Sequence, residues 1–252
     1  MRQLNFGVVC INSVINKTEN TRNYGVDLLR IVSMYMVVVL HVLGQGGALQ
    51  EAMSPSLQYQ SAWFLKILCF GAVNCYALIS GYVGINSRYR YSSIAYLWLW
   101  VFFYSAGFAF IAAYLSPKIK MDAFIDGLTP VSSLDYWYFT AYFCMFFFIP
   151  LFNIILNTLS NKQLYFIASA IFILFSVMTV FSEKDLFNTY GGYSALWLSL
   201  CYILGGIFKR TNLLFKIKPW LGMLLFLVCV IATWLERYAV RSFNLHHRRT
   251  SR

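Results

Sequence analysis

The apolar residues of this sequence form long blocks, separated by short segments that hold most of the charged side chains. Each block is almost free of charge and, at about 17 residues or more, is long enough to cross a hydrocarbon layer of ~30 Å as a helix. The pattern predicts an all-α fold: a polytopic membrane helix bundle with about seven transmembrane helices. The predicted helices are 27–43, 62–85, 94–115, 137–157, 164–182, 194–209 and 219–236.

The composition excludes the common soluble classes. Of the 252 residues, 60% are hydrophobic and 12% are charged, whereas about 25% are charged in a soluble domain. The net charge of +11 would suggest a nucleic-acid partner in a soluble protein, but here the basic residues lie between apolar blocks, where they orient helices. We therefore expect membrane lipid around the chain and no nucleic acid. The cysteines are widely spaced and predict no metal site: Cys10, Cys69, Cys75, Cys144, Cys201 and Cys229.

The loop charges predict the orientation of the bundle, since short cytoplasmic loops are enriched in lysine and arginine. With a cytoplasmic N-terminus, the inside segments hold ten such residues and the outside loops hold three. The ten are Arg2, Lys17, Arg22, Arg88, Arg90, Lys162, Lys209, Arg210, Lys216 and Lys218; the three are Lys118, Lys120 and Lys184.

The two ends of the chain differ from the rest. Residues 1–22 contain a mildly apolar stretch without a cleavage site, so we expect an uncleaved cytoplasmic leader. Residues 237–252 form a basic tail that the seven-helix scheme places outside, against the positive-inside rule. Either the last block is a hairpin that does not cross, or the tail is not native sequence; we favour the second.

Three polar residues of the first predicted helix share one face. Arg30 and His41 are eleven positions apart, which places them within about 20° on the helix and ~16.5 Å apart along its axis. Asp27 lies close to the same stripe, and its simplest role is an ion pair with Arg30 at the interface. His41 lies deep in a run of valines, where ionisable residues usually face a cavity or a partner.

The arginine and the histidine of the first helix, with ten residues between them and Asp-Leu-Leu before them, resemble the signature of integral-membrane acyltransferase family 3. This family includes bacterial O-acetyltransferases of polysaccharide and peptidoglycan. The resemblance covers about residues 22–236 and includes three further motifs in the family's order: Phe70 to Ser80-Gly81-Tyr82, then Arg88-Tyr-Arg90, then Asp135-Tyr-Trp137-Tyr138 through Pro150-Leu-Phe-Asn153.

The resemblance implies transfer of an acyl group, most simply acetyl, from acyl-CoA to a hydroxyl of a cell-envelope or exported glycan, or of a lipid-linked sugar. It implies a bacterial inner membrane as the location. His41 is the expected base, with Arg30 and Asp27 completing the catalytic group. Arg88 and Arg90 are expected to hold the donor phosphates, although anchoring of the cytoplasmic loop explains them as well.

Four other polar or aromatic residues are candidates for a substrate passage. Asn74 and Ser80 interrupt an apolar helix, where close helix packing is the alternative explanation. Trp137 and Tyr138 are either substrate platforms or aromatic residues of the membrane interface.

Two alternatives stay open at the level of sequence. Family members usually have more membrane helices than this chain, so we expect the domain at 23–236 to be incomplete at its C-terminal end, which would make the chain an inactive remnant. The other alternative is a glycan flippase or exporter subunit in which Arg30 and His41 line the path. A transporter would favour inverted repeats, and the spacing of the blocks shows none.

Overall fold

The computed structural model describes residues 22–52, 56–115, 121–131, 136–182 and 184–250, with side chains through residue 239 apart from that of 123. The predicted leader lies outside the described residues except for Arg22, and so do Lys118, Lys120 and Asp135. Throughout the described part the regular structure is helical. The helices are α1 (Tyr24–Gly44), α2 (Ala48–Glu51), α3 (Leu57–Cys69), α4 (Ala72–Gly84), α5 (Tyr91–Leu115), α6 (Met121–Leu128), α7 (Trp137–Phe146), α8 (Ile149–Thr158), α9 (Asn161–Phe172), α10 (Met178–Val180), α11 (Ala195–Thr211), α12 (Leu213–Lys216) and α13 (Pro219–Thr250).

The all-helical membrane fold is confirmed, and the predicted count of seven spans is approximate. Five stretches of the described residues are long and apolar enough to cross a membrane, or up to six if one bent pair forms a single span. The bent pair is α7 and α8, which meet at 56°, with Pro150 at the start of α8 where a proline is tolerated. The remaining predicted span, 194–209, is the 17-residue helix α11.

The centre of the bundle is the contact between α4 and α11. A Cβ atom added to Gly81 would lie 1.8 Å from the backbone oxygen of Tyr202, and one added to Gly205 would lie 2.0 Å from that of Leu78. The two backbones therefore touch, as helices in membranes do when small residues line their contact. Leu198 and Tyr202 of α11 are almost fully buried beside this contact.

Hydrogen bonds from the core fix α8 against the same pair of helices. The Tyr202 hydroxyl donates to Asn153 Oδ1 at 3.0 Å, and Asn153 Nδ2 donates to the backbone oxygen of Gly84 at 3.2 Å. One asparagine thus bridges α11 and the end of α4.

Several of the basic residues meet at one end of the bundle, which we call the basic face and define by Arg22, Arg88, Arg90, Lys209 and Arg210. Arg22 and Lys209 line one cavity together with residues of the loop after α4. Arg210 Nη1 donates to the backbone oxygen of Asn157 at 2.9 Å, so the end of α8 lies there too. The far end of α1 and the starts of α3 and α7 form the opposite face.

The helix α13 continues through residue 236, where the predicted tail begins. An Arg237 guanidinium nitrogen donates to the Tyr59 hydroxyl at 3.2 Å, and the guanidinium lies over the ring of Trp63. Trp234 Nε1 donates to the backbone oxygen of Gln60 at 3.4 Å. These contacts pack α13 against the first turns of α3.

We expect the basic face to be cytoplasmic, because the positive-inside rule assigns the side with more lysine and arginine. Ser87 lies in the loop after α4, Asp126 lies in α6, and both are exposed. In a cysteine-free background of intact cells, an impermeant maleimide should label Asp126→Cys and spare Ser87→Cys. Labelling of Ser87→Cys alone would reverse the orientation.

Candidate functional site

His41 lines a cavity of 680 Å³ near the opposite face, here named the His41 cavity. The cavity lies between α1, α3, α4 and α7, and it is mostly aromatic and apolar with few polar groups. Two of the predicted passage residues, Trp137 and Tyr138, line it together with His41. The other polar or aromatic residues that line it are Gln45, Gln50, Lys66, Phe70, Tyr76 and Tyr193.

A glutamine one turn further along α1 holds the imidazole of His41. His41 Nδ1 and Gln45 Oε1 are 2.9 Å apart. An amide oxygen only accepts hydrogen bonds, so Nδ1 can bond Gln45 Oε1 only as a donor. In the neutral tautomer with its proton on Nδ1, the other ring nitrogen, Nε2, is the acceptor that a general base needs.

Lys66 is a cation in the His41 cavity that the sequence analysis did not select. It belongs to α3, is half-buried, and its ammonium group lies 4.7 Å from the centroid of the Trp63 ring. Lys66 is the only charged residue of the predicted helix 62–85. The rule that charges within membrane helices face a cavity or a partner would have found it.

Asp27 and Arg30 line a second cavity, of 530 Å³, at the basic face, here named the arginine cavity. Asp27 Oδ1 lies 3.3 Å from Arg30 Nη1, and Asp27 Oδ2 pairs with Arg22 Nε. The expected Asp27–Arg30 ion pair is therefore present. The arginine cavity is also lined by Asn23, Val26, Tyr82, Val83, Asn86, Ser87 and Lys209.

The structure places Arg30 and His41 in different cavities, although they share a helix face. The two cavities have no lining residue in common, and Arg30 and Met34, which line one each, are one helical turn apart, about 6 Å. Tyr76 connects the two levels: it lines the His41 cavity, and its hydroxyl donates to the backbone oxygen of Arg30 at 2.9 Å.

Arg88 and Arg90 are exposed and lie just beyond the arginine cavity. Asn86 and Ser87, which precede them in the loop after α4, line that cavity, and the two arginines do not. Both arginines therefore follow two lining residues of the arginine cavity in the chain and are not part of its lining.

A third cavity, of 570 Å³, opens beside the His41 cavity, and we name it the loop cavity. It is lined by Asn74 and Trp137 and by several residues of the segment between α10 and α11. Asn74 Oδ1 accepts a hydrogen bond of 2.8 Å from Trp197 Nε1. Ser80 lines none of the three cavities, and its hydroxyl donates to the backbone oxygen of Tyr76 at 2.9 Å within its own helix.

Asp185 organises the segment that closes the loop cavity. Its carboxylate accepts hydrogen bonds from the backbone N–H groups of Thr189, Tyr190 and Phe187 and from the Thr189 hydroxyl. These bonds, the Thr189 backbone bond first, hold the pKa of the Asp185 carboxyl below its ordinary value, since they favour the charged form. The loop conformation therefore depends on a charged carboxylate.

The same segment has an unusual backbone. Asn188 and Tyr190 both have φ of 50°, and Gly191 and Gly192 follow with φ of 65° and 97°. Residues other than glycine rarely take such angles, and those that do cluster at functional sites. Tyr193, which follows, packs its ring against Trp137 with centroids 4.6 Å apart.

The described residues contain no group of three or more histidine, cysteine or acidic side chains placed to hold a metal ion.

Among the comparisons with known proteins, a family match covers almost the whole chain. No curated protein and no solved structure matches it significantly. The profile of acyltransferase family 3, described as an acyltransferase domain, matches residues 23–247. The match includes α1 with its Asp27, Arg30 and His41, every lining residue of the three cavities except Arg22, and residues 237–247 of the predicted tail. Because it spans most of the sequence, this chain belongs to acyltransferase family 3 and is a membrane acyltransferase.

Proposed function

We propose that the protein transfers an acyl group, most simply acetyl, from acyl-CoA to a hydroxyl of a cell-envelope or exported glycan. The observation that carries this proposal is His41, whose Nδ1 is bonded to Gln45 and whose ring lines a cavity. An imidazole that has its proton on Nδ1 is suited, through Nε2, to take a proton from a hydroxyl and to return it.

The reaction balances with His41 as the only proton carrier. Nε2 of His41 takes the proton of the acceptor hydroxyl. At the same time the hydroxyl oxygen attacks the carbonyl carbon of the thioester, and a C–O bond forms. The carbon–sulfur bond then breaks, and the CoA thiolate leaves and takes the proton from Nε2. Lys66, in the same cavity, supplies a positive charge that stabilises the oxyanion formed between these steps.

The arginine cavity and its rim suit the phosphates of the donor. Three cations line the cavity (Arg22, Arg30 and Lys209) with one carboxylate (Asp27), so it is positive overall. Arg88 and Arg90 follow two of its lining residues in the loop after α4 and would add two guanidinium groups, which bind phosphate through paired N–H donors.

The separation of the arginine cavity from the His41 cavity fits a donor whose phosphates and thioester are far apart. Arg30 and His41 are ~16.5 Å apart along α1. In acyl-CoA a long, flexible chain separates the phosphates from the thioester. Such a donor would place its phosphates at the basic face and its acyl group in the His41 cavity.

The sidedness of the reaction follows from the same arrangement. We place the protein in a bacterial inner membrane with the basic face in the cytoplasm, where acyl-CoA is available. The His41 cavity then lies toward the outer side, from which an exported or lipid-linked glycan would approach.

Purified protein in detergent, incubated with labelled acetyl-CoA and envelope glycan, should move label into the glycan. In this assay, replacement of both Arg88 and Arg90 by alanine should raise the Kd for acetyl-CoA at least tenfold, since a charged hydrogen bond to phosphate is lost at each. The kcat at saturating donor should change much less.

The matched control is Lys162→Ala, which removes an exposed cation of the first turn of α9 and should leave donor affinity unchanged. If the Arg88/Arg90 variant bound acetyl-CoA as tightly as the control, these two arginines would be anchors of the loop only. If the unaltered protein moved no label into any glycan, the proposed reaction would be wrong.

A further inference from the structure

The loop cavity has no part in the acyl transfer steps above, yet it adjoins the site where they occur. Leu40, Phe70, Val73, Trp137 and Tyr193 line both it and the His41 cavity. These five side chains are therefore a shared wall, with Leu40 next to His41 in the chain. A ligand in the loop cavity would reach the imidazole across this wall.

The lining of the loop cavity combines flat aromatic faces with unused hydrogen-bond donors. Trp137 and Tyr193 present aromatic rings at the wall. Two donors have no hydrogen-bond partner among the described residues. Asn74 bonds Trp197 through Oδ1 alone, which leaves its Nδ2 group free. Trp137 makes ring contacts only, which leaves its indole N–H free. Donors of this kind fix the orientation of a ligand in an otherwise apolar pocket.

The charge and location of the loop cavity narrow the ligand class. Its two charged lining residues, Lys184 and Asp185, have opposite signs, so the cavity has no net charge from its side chains. Its outer wall is the segment between Asn161–Val180 and α11, outside the helices that qualify as membrane spans. A ligand that fits this lining needs no charge, but it needs an apolar face for the aromatic rings and oxygen acceptors for the free donors.

We propose that the loop cavity binds one neutral pyranose unit of the acceptor, with the ring against Tyr193 and its oxygens on Asn74 Nδ2 and Trp137 Nε1. A pyranose has C–H groups on its faces for the aromatic rings and hydroxyl groups at its edge for the donors. This proposal rests on the proposed function, since it names the subsite that presents a sugar hydroxyl to His41. Asn74 and Trp137 are then specificity-determining residues.

The segment that closes the cavity supports this role. Asp185 holds residues 187–190 in place through its four hydrogen bonds, and the positive φ angles of Asn188 and Tyr190 are maintained in the same stretch. A strained loop fixed by a buried threonine and a carboxylate is organised before a ligand arrives, which lowers the entropic cost of binding.

The test is saturation-transfer NMR on the full chain in detergent, with methyl glycosides of glucose, galactose, mannose, rhamnose and N-acetylglucosamine as probes. At least one glycoside should receive saturation from the protein. Asn74→Asp keeps the oxygen that accepts from Trp197 but removes the free NH₂ donor, and Trp137→Phe keeps an aromatic face but removes the indole N–H. Each should weaken that binding about tenfold, or about 1.4 kcal/mol.

The matched control is Asn161→Asp, the same change at an exposed position in the first turn of α9, which should leave sugar binding unaltered. No saturation of any probe, or equal binding by the unaltered protein and both cavity variants, would overturn the subsite. Hydrolysis of acetyl-CoA without an acceptor is measured on the same samples. If hydrolysis persists while no sugar binds, only the subsite is lost; if sugar binds at Asn74 while acetyl-CoA is never used, the subsite stands and the proposed transfer is lost.

Discussion

Replacement of His41 by alanine should abolish glycan acylation, with a loss of about 10²–10⁴-fold in rate, while the amount of folded protein stays near normal. The side chain is exposed to its cavity, and its one hydrogen bond is to Gln45 of the same helix. Loss of the imidazole therefore removes the proton carrier without breaking a contact between helices.

His41→Gln distinguishes proton transfer from simple hydrogen bonding. A glutamine can accept a hydrogen bond from the acceptor hydroxyl, but it cannot take and return the proton, so it should not restore activity. Gln45→Ala should have a smaller effect on kcat, because the imidazole stays in place and loses only its side-chain contact at Nδ1.

The measurement is the transfer of labelled acetyl groups to glycan by equal amounts of purified protein. Val38→Ala is the matched control, since Val38 lies one turn earlier on α1 and is 52% exposed. It should retain full activity. Transfer at the unaltered rate by the His41→Ala variant would remove His41 from the mechanism.

The polar stripe of α1 could be predicted from the sequence because helical geometry alone determines it. The eleven-residue separation of Arg30 and His41 fixes their angle and axial distance once the segment is a straight helix, and α1 is continuous from Tyr24 to Gly44. The positions of the long apolar helices could be predicted because length and composition define a span. Not all boundaries could: the predicted helix 62–85 begins at Leu57 and is interrupted after Cys69, and the predicted helix 219–236 continues to Thr250.

The contents of the cavities could not be predicted in this way, because they depend on which helices are neighbours. Lys66 reaches the His41 cavity only because α3 packs beside α1, and Trp137 meets Tyr193 only through the loop before α11. Gln45 lies just beyond the end of α1, where hydropathy gives no signal. The bend between α7 and α8 was missed although Pro150 lies inside the predicted helix 137–157, where a proline ends or kinks a helix.

Substitution of Gly81 or Gly205 by leucine should have the largest effect on the fold itself. A Cβ atom at either position would lie within 2.0 Å of a backbone oxygen of the facing helix. Backbone atoms cannot rotate away as a side chain can, so α4 and α11 must move apart. Even alanine at either site should cost ~1–3 kcal/mol of stability or more, the usual range for overpacking.

The thermal unfolding temperature of the detergent-solubilised protein is the measurement, with Gly107→Ala as the matched control. Gly107 lies within α5, and a Cβ atom there would have no atom within 4 Å. This variant should be at least as stable as the original, since alanine favours the helix by ~1 kcal/mol.

Gly81→Ala and Gly205→Ala should both unfold at lower temperature, and the leucine variants should yield little folded protein. Unfolding of Gly81→Ala at the temperature of the Gly107→Ala control would show that α4 and α11 are not in backbone contact. Because α4 carries both Asn74 of the loop cavity and Tyr76 of the His41 cavity, alanine variants that remain folded should also lose part of their acyl transfer activity.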